Sequence, residues 1–319
     1  MGTSIPLYPL VLQSAPEQSA AGFFKKIRNH STLVRNMKRK RRITDRSVLA
    51  SMLRILAVPL LRKPARICVL RIFSNFFFLQ HRAARNPGLI PVSAVDHALD
   101  ETIPFTPRWV NIYLDFVGFW IRSLGFLLAR YKRAAREAVR DFIESMGRLY
   151  IFAAGVYRKN MSTTRRPLYL LHPRFVLIRL TDPHLMCIPS LHVMVAVRTY
   201  TKFAETAKIL GEDLSGEIEE LRERALKITE AILYVKQHSV NCVPAALYAM
   251  TSFSPELFPP EEAEAFATDL LRNEKVPAPG DREAIRNHII TLYRSFLEAG
   301  KNAPSWEYPL LAFLKDYGA

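Results

Sequence analysis

Residues 215–242 read SGEIEELRERALKITEAILYVKQHSVNC. Apolar residues recur along this stretch at steps of three and four, and glutamates crowd its start. That spacing places the apolar side chains on one face of a helix, and carboxylates in the first turn favour the helix dipole. We therefore predict one helix over residues 215–242, with Ser215 as its N-cap and with His238 and Cys242 on its inward face.

The rest of the chain also favours helices. Patterns with helix start and stop signals predict a helix over residues 260–272 and another over residues 281–300. Alternating apolar and polar residues, which would predict strands, do not extend over any useful length, and the chain has no internal repeat. The sequence predicts an all-α fold, with a helical domain over residues 96–319.

The positive charge lies almost entirely in the first third of the chain. The 319 residues carry a net charge of +16, and residues 1–95 contain 17 Lys and Arg against 2 acids. The densest run, residues 38–42, reads KRKRR. We interpret residues 1–95 as a basic N-terminal extension or membrane-contacting arm. These cations would attract an anionic membrane surface, or nucleic acid bound through residues 25–46, equally well. The alternative is a solvated, disordered arm.

Two further stretches raise the question of a membrane. Residues 45–85 alternate apolar groups with arginines, which is typical of a helix lying on a bilayer or of a core helix whose arginines reach solvent. Residues 110–128 are long enough to span a bilayer but contain Asn111, Asp115 and Arg122. Charges inside a span are costly, so the sequence favours a buried or interfacial helix there.

The chain has three cysteines, Cys68, Cys187 and Cys242, and no visible secretory signal. This pattern predicts an intracellular protein with reduced thiols, associated with membranes through its basic third. Cys187 and Cys242 also form C-x4-H and H-x3-C pairs with His192 and His238, a set that would suit tetrahedral zinc. We expect no metal and no cofactor, and keep zinc as the alternative.

Three short segments carry residues suited to phosphate chemistry. A phosphoryl group is held well by fixed cations, and a helix N-terminus adds backbone N–H donors. Two histidines could then act as nucleophile and proton donor. We therefore expect a phosphate-bearing substrate. In chain order the segments are Lys159 with Arg166-Pro167, then Pro189-Ser190-Leu191-His192, then Lys236-Gln237-His238.

These segments resemble the type 2 phosphatidic acid phosphatase and vanadium haloperoxidase superfamily, whose signature is K-x6-R-P, then P-S-x-H, then S-R-x5-H-x3-D. The resemblance covers roughly 85 residues and implies that family's helical bundle. It implies that His238 is the nucleophile and His192 the general acid. It also implies that Lys159, Arg166 and Ser190 bind the phosphate.

The third segment departs from that signature at two positions. Ile232 replaces the arginine, and Cys242 replaces the aspartate that orients the nucleophilic histidine. Lys236 offers a substitute cation, whereas a neutral thiol does not support an imidazolium as a carboxylate does. We therefore expect a phosphatase or phosphotransferase, impaired by these losses, acting on a phosphomonoester or lipid phosphate. The alternative is a non-catalytic relative that binds anionic membrane or nucleic acid through its basic N-terminal third.

Overall fold

The computed structural model describes residues 42–317 and is mostly helical, in agreement with the predicted all-α class. The helices predicted over residues 260–272 and 281–300 are present with slightly different ends. A π-helical turn, Phe73–Phe78, joins the second and third helices. The elements are α1 Val48–Leu56, α2 Pro59–Ile72, α3 Leu79–Arg85, β1 Val92–Ala94, α4 Val110–Tyr113, α5 Asp115–Tyr131, α6 Arg136–Tyr157, β2 Met161–Thr163, α7 Pro173–Thr181, α8 Leu191–Ile209, α9 Ser215–Tyr234, α10 Cys242–Phe253, α11 Pro260–Asp269, α12 Pro279–Gly300 and α13 Tyr308–Tyr317.

Helix α8 lies at the centre of the described fold. It packs against α5, α6, α9 and α10, and every side chain from Leu191 to Phe203 is buried. The buried set includes Arg198, whose guanidinium donates to Ser145 Oγ at 2.7 Å and to Ser254 Oγ at 2.8 Å. These bonds satisfy a charge that burial would otherwise penalise. The first turn of this helix therefore holds His192 in a fixed, water-poor position.

The compact unit begins at Arg42, so residues 42–95 are not a separate arm as predicted. Helix α1 packs on α5 and α2 packs on α6, because each buries part of one face in the common core. Glu220 of α9 accepts hydrogen bonds from the backbone N–H groups of Ile43 (3.2 Å) and Thr44 (2.8 Å). The basic run upstream of Arg42, including the cations expected to bind membrane or nucleic acid, lies outside the described residues.

The single helix predicted over residues 215–242 is wrong. Helix α9 ends at Tyr234, and a new helix starts at Cys242. Lys236 adopts a left-handed backbone conformation (φ 52°), and the next two N–H groups turn back to the carbonyl oxygen of Ile232 at 3.0 and 3.2 Å. Ser215 is the first helical residue and Leu214 is the N-cap, so the predicted serine cap is wrong. His238 therefore lies on a tight connection between two helices.

The apolar stretch around residues 110–128 forms α4 and α5. Residues 107–131 are long and apolar enough to cross a membrane, by length and composition alone, although 56% of the most apolar window is buried against other helices. Asp115 and Arg122, the charges that argued against a span, form a salt bridge of 2.6 Å. Arg224 of α9 binds the same carboxylate at 2.6 Å, so these charges link helices within the fold.

The two short strands place the chain that leads into the site. β1 and β2 pair in parallel, with Val92 opposite Met161 and Ala94 opposite Thr163. Three-residue strands are too short to show the alternation by which a strand is recognised in sequence. The pairing continues with the N–H of Val95 donating to the carbonyl oxygen of Thr163 at 3.0 Å. It fixes the start of the segment that carries Arg165 and Arg166.

Candidate functional site

The two histidines expected to act on phosphate lie side by side. The ring centroids of His192 and His238 are 5.5 Å apart, with the ring planes at 69°. His192 belongs to the first turn of α8, and His238 to the connection between α9 and α10. Residues 46 positions apart in sequence are thus brought together by the packing of three helices, and both rings are buried.

Aromatic side chains hold the ring of His192. Tyr113 stacks on it with a centroid distance of 4.3 Å, and Phe116 lies tilted at 4.2 Å. Burial, reinforced by the neighbouring His238, lowers the pKa of His192 well below its usual range. The ring is therefore neutral near pH 7, because a buried imidazolium would lose its hydration without gaining a full counter-charge. Sequence patterns identified Tyr113 and Phe116 only as members of an apolar stretch.

His238 lines a cavity of about 300 Å³ that we call the histidine cavity. Three cations and three carboxylates share its wall. Two of the carboxylates, Asp96 and Asp100, accept hydrogen bonds from backbone N–H groups and so help to hold the loops in place. The lining residues are Asp96, Asp100, Glu101, Phe105, Thr164, Arg165, Arg166, Pro167, Lys236, His238 and Ser239.

Hydrogen bonds hold the charged groups of two of the cations that line the histidine cavity. Arg166 is half-buried and donates to Gln237 Oε1 at 3.3 Å, while Lys236 donates its ammonium proton to the carbonyl oxygen of Asp100. Burial lowers the pKa of both side chains, although an arginine remains charged near pH 7. Arg165 was not predicted as a site residue, and its adjacency to Arg166 was the available signal. Fixed cations such as Arg166 and Lys236 can bind an anion, and the three carboxylates of the wall reduce the net positive charge there.

Ser190, His192 and Lys159 do not line the histidine cavity. Ser190 is fully buried at the start of α8, and its hydroxyl has no hydrogen-bond partner among the described residues. It precedes the helix without capping it through its side chain. Lys159 lies in the turn after α6 with an exposed side chain. The structure therefore places the ring of His192 beside that of His238, and His238 in one cavity wall with Arg166 and Lys236; Lys159 is not in that wall.

One buried nitrogen of His238 is unsatisfied. No described residue hydrogen-bonds Nδ1 of its ring, which is shielded from solvent. A buried polar atom normally has a partner, so an orphan of this kind points to an interaction that is missing or supplied by a ligand. Cys242, which stands where the resembled family has an aspartate, hydrogen-bonds with Cys187 and not with this nitrogen.

A thiol and imidazole cluster lies behind the pair. Cys187 Sγ is 3.7 Å from Nε2 of His184, which also contacts Thr164 Oγ1 at 2.9 Å. The ring of His184 lies 6.4 Å from that of His238. Burial, together with a hydrogen bond to Cys187, raises the pKa of Cys242, so that thiol is uncharged near pH 7.

The zinc alternative rests on the thiols of Cys187 and Cys242 and on the two histidines near them in sequence. Within residues 42–317, no three side chains of His, Cys, Asp or Glu are arranged to hold a metal ion. Cys187 instead hydrogen-bonds within the protein, and the three cysteines are free and buried. The cluster therefore supports the histidines by packing and hydrogen bonding.

Comparisons with protein-family models, with curated proteins and with solved structures give no match for this chain.

Proposed function

We propose that this protein is a phosphatase or phosphotransferase that acts on a phosphomonoester or lipid phosphate through a histidine nucleophile. The observation that carries the proposal is the adjacency of two buried imidazoles, His192 and His238, whose ring centroids are 5.5 Å apart, where His238 lines a cavity together with Arg165, Arg166 and Lys236. Fixed cations stabilise the spread negative charge of a phosphoryl group in the transition state. An imidazole at the same cavity can attack phosphorus.

The roles follow from which ring faces the cavity. His238 lines the cavity, so its nitrogen attacks phosphorus while the ester P–O bond breaks. His192 gives a proton to the leaving oxygen, and water then cleaves the P–N bond to release phosphate. An entering phosphate dianion raises the pKa of His192, since nearby negative charge favours the imidazolium. The lowered pKa of the empty site is therefore compatible with an acid role once substrate is bound.

Hydrolysis of p-nitrophenyl phosphate by purified full-length protein tests the proposal. We expect His238→Ala to abolish turnover, and His192→Ala to lower kcat by about a hundredfold or more, the usual contribution of a general acid. His81→Gln is the matched control, because His81 hydrogen-bonds the carbonyl oxygen of Phe77 away from the cavity. Equal rates for wild type and His238→Ala would refute the proposal.

Variants of Arg166 and Lys159 test which of these two cations binds the phosphate. Arg166→Ala should raise KM at least tenfold, because a cation at the cavity wall is lost. Lys159→Ala should change KM much less, since that side chain is exposed and lies outside the cavity lining. A larger increase in KM for Lys159→Ala than for Arg166→Ala would instead support the phosphate-binding role of Lys159 that the family resemblance implies.

A second candidate function, binding to anionic membranes, is favoured by the surface of α1 and α2. Both helices pack on the core, yet they and the following turn keep many large apolar side chains exposed among arginines, and residues 46–95 contain no acid. Such a surface suits a headgroup layer. The exposed apolar residues are Leu49, Met52, Leu53, Leu56, Leu60, Val69, Leu70, Phe73 and Phe78.

A further inference from the structure

Five leucines that follow the cations of the histidine cavity project into solvent. Each is more than half exposed, and Leu171 reaches 88%. Exposed leucines are unremarkable singly, but five within the 13 residues 168–180 indicate an interaction surface. We call this group the leucine ridge: Leu168, Leu170, Leu171, Leu177 and Leu180.

The ridge is anchored from beneath. Tyr169 and Phe175 pack edge-to-face at 5.2 Å, and both contact Phe105, at 5.3 and 5.6 Å. Arg179 of α7 donates to the carbonyl oxygen of Pro167, which ties the helix to the start of the segment. Phe175 and Ile178 are buried and Tyr169 is partly buried, whereas the five leucines remain outward with no described partner covering them.

The charges around the ridge are complementary to phospholipid headgroups. Residues 165–182 contain four arginines and a single acid, Asp182. Arg165 and Arg174 are exposed beside the leucines. Apolar side chains that enter the acyl boundary, flanked by arginines at phosphate level, form the usual arrangement of an interfacial segment.

We propose that the leucine ridge docks onto an anionic phospholipid bilayer and brings the histidine cavity to the headgroup layer. The ridge begins directly after Pro167, which itself lines that cavity together with Arg165 and Arg166. Docking at this point places the cavity cations next to lipid phosphates. This inference goes beyond the proposed function, and its test requires no catalysis.

A fluorescent reporter locates the docking surface on the full-length protein. The native cysteines are buried, so Leu171→Cys can be labelled with an environment-sensitive nitrobenzoxadiazole dye. Ile209→Cys, at an exposed position at the end of α8, is the matched control, and Leu53→Cys reports on α1. With vesicles of phosphatidylcholine and phosphatidylserine, we expect the dye at position 171 to shift to the blue and the dye at position 209 to remain unchanged.

Several results would overturn the docking proposal. One such result is an unshifted emission from the dye at position 171 although the protein sediments with the vesicles. Another is a blue shift of the dye at position 53 without a shift of the dye at position 171. A blue shift without vesicles that grows with protein concentration would make the ridge an interface between two copies. An equal shift with phosphatidylcholine alone would remove the requirement for anionic lipid.

Paired substitutions give an independent measurement. Leu171→Ser with Leu180→Ser should weaken vesicle binding by about tenfold or more, because two apolar side chains no longer enter the bilayer. Ile209→Ser, the matched control, should leave binding unchanged. Both positions are exposed, so thermal unfolding should be unaffected and folding does not confound the comparison. Unchanged vesicle affinity of the double variant would contradict the proposal.

Discussion

At the scale of single residues, the most informative atom is Nδ1 of His238, which is buried and has no partner among the described residues. In a histidine-based site, an acceptor at this nitrogen fixes the tautomer and supports positive charge that develops on the ring. The thiol at Cys242 is uncharged and hydrogen-bonds with Cys187 instead. Under the proposed function, the ring of His238 therefore lacks the acceptor that would stabilise positive charge on it.

Cys242→Asp should restore that support. We expect hydrolysis of p-nitrophenyl phosphate to rise about tenfold or more, which corresponds to about 1.4 kcal/mol of transition-state stabilisation. The gain should disappear when His238→Ala is added, because the carboxylate acts only through that ring. Since a buried carboxylate can destabilise the fold, the unfolding midpoint must be measured in parallel. A folded Cys242→Asp protein without added activity would favour a binding relative over an impaired enzyme.

Part of the site could be predicted from the residues alone. The segment spacing led to His192, His238 and Arg166; the structure places His192 beside His238, and His238 in one cavity wall with Arg166. The sequence could not reveal that Tyr113 and Phe116 pack on His192. Both belong to an apolar stretch whose periodicity indicates that they are buried but not which residue they contact. Nor could the spacing show that Lys159 is exposed and absent from the cavity wall, since a fixed spacing does not determine where a turn places its side chain.

At the scale of secondary-structure elements, the break between α9 and α10 decides the geometry of the site. Apolar periodicity continues across the break, so the sequence predicts one helix through Cys242. The left-handed conformation at Lys236 ends it. Glycine and asparagine are the residues that commonly adopt a left-handed conformation at a helix end, so a lysine at residue 236 does not indicate that the helix ends there. Tertiary contacts, including the bond from the Lys236 ammonium to Asp100, accompany this conformation.

Close contact between α1 and α5 depends on a glycine. A Cβ atom at Gly125 would lie 2.4 Å from Cβ of Ser51 and 2.9 Å from its Cα, so the backbone of α1 would have to move. We expect Gly125→Ala to lower the free energy of unfolding by about 1–3 kcal/mol, as overpacking usually does. Denaturant unfolding monitored by circular dichroism measures this change.

Gly216, near the start of α9, is the matched control. Nothing lies within 4 Å of a Cβ atom built there. Gly216→Ala should be neutral or stabilise the protein by up to about 1 kcal/mol, because alanine is the better helix former. If the two substitutions had equal effects, the close packing of α1 on α5 would not be the reason for glycine at residue 125.

At the scale of the whole molecule, the all-α class and the helices near the C-terminus were predicted correctly, whereas the boundary at residue 95 was not. Charge composition suggested an arm, yet α1 and α2 bury one face each in the common core. Long-range packing of this kind leaves no mark in local periodicity. A basic, apolar helix has the same sequence pattern whether it rests on lipid or on protein.

Stability of the whole fold should depend on pH through His288. Its Nε2 contacts Asn241 Oδ1 at 2.8 Å, and the ring stacks on His97. Burial, together with His97, lowers its pKa to about 4 from 6.5. The unfolded chain therefore binds more protons between these values, and this contribution to stability is lost as pH falls through that window, by about 1 kcal/mol per pH unit.

A comparison with His288→Gln isolates this effect from other titrating groups. The glutamine amide can still donate to Asn241 but does not titrate. The stability difference between wild type and variant, from urea unfolding at several pH values, should shrink as pH falls from 6.5 to 4. Parallel curves would show that His288 does not couple protonation to folding.

Phosphoryl transfer through His238 is the central claim, and trapping the covalent intermediate tests it most directly. Wild-type protein would be mixed with p-nitrophenyl phosphate, quenched at alkaline pH, digested and analysed by mass spectrometry, with His238→Ala as the control. We predict a phosphoryl group on the imidazole of His238 in wild type and none in the variant. A turning-over enzyme without phosphate on His238, or with the same modification in His238→Ala, would contradict the claim.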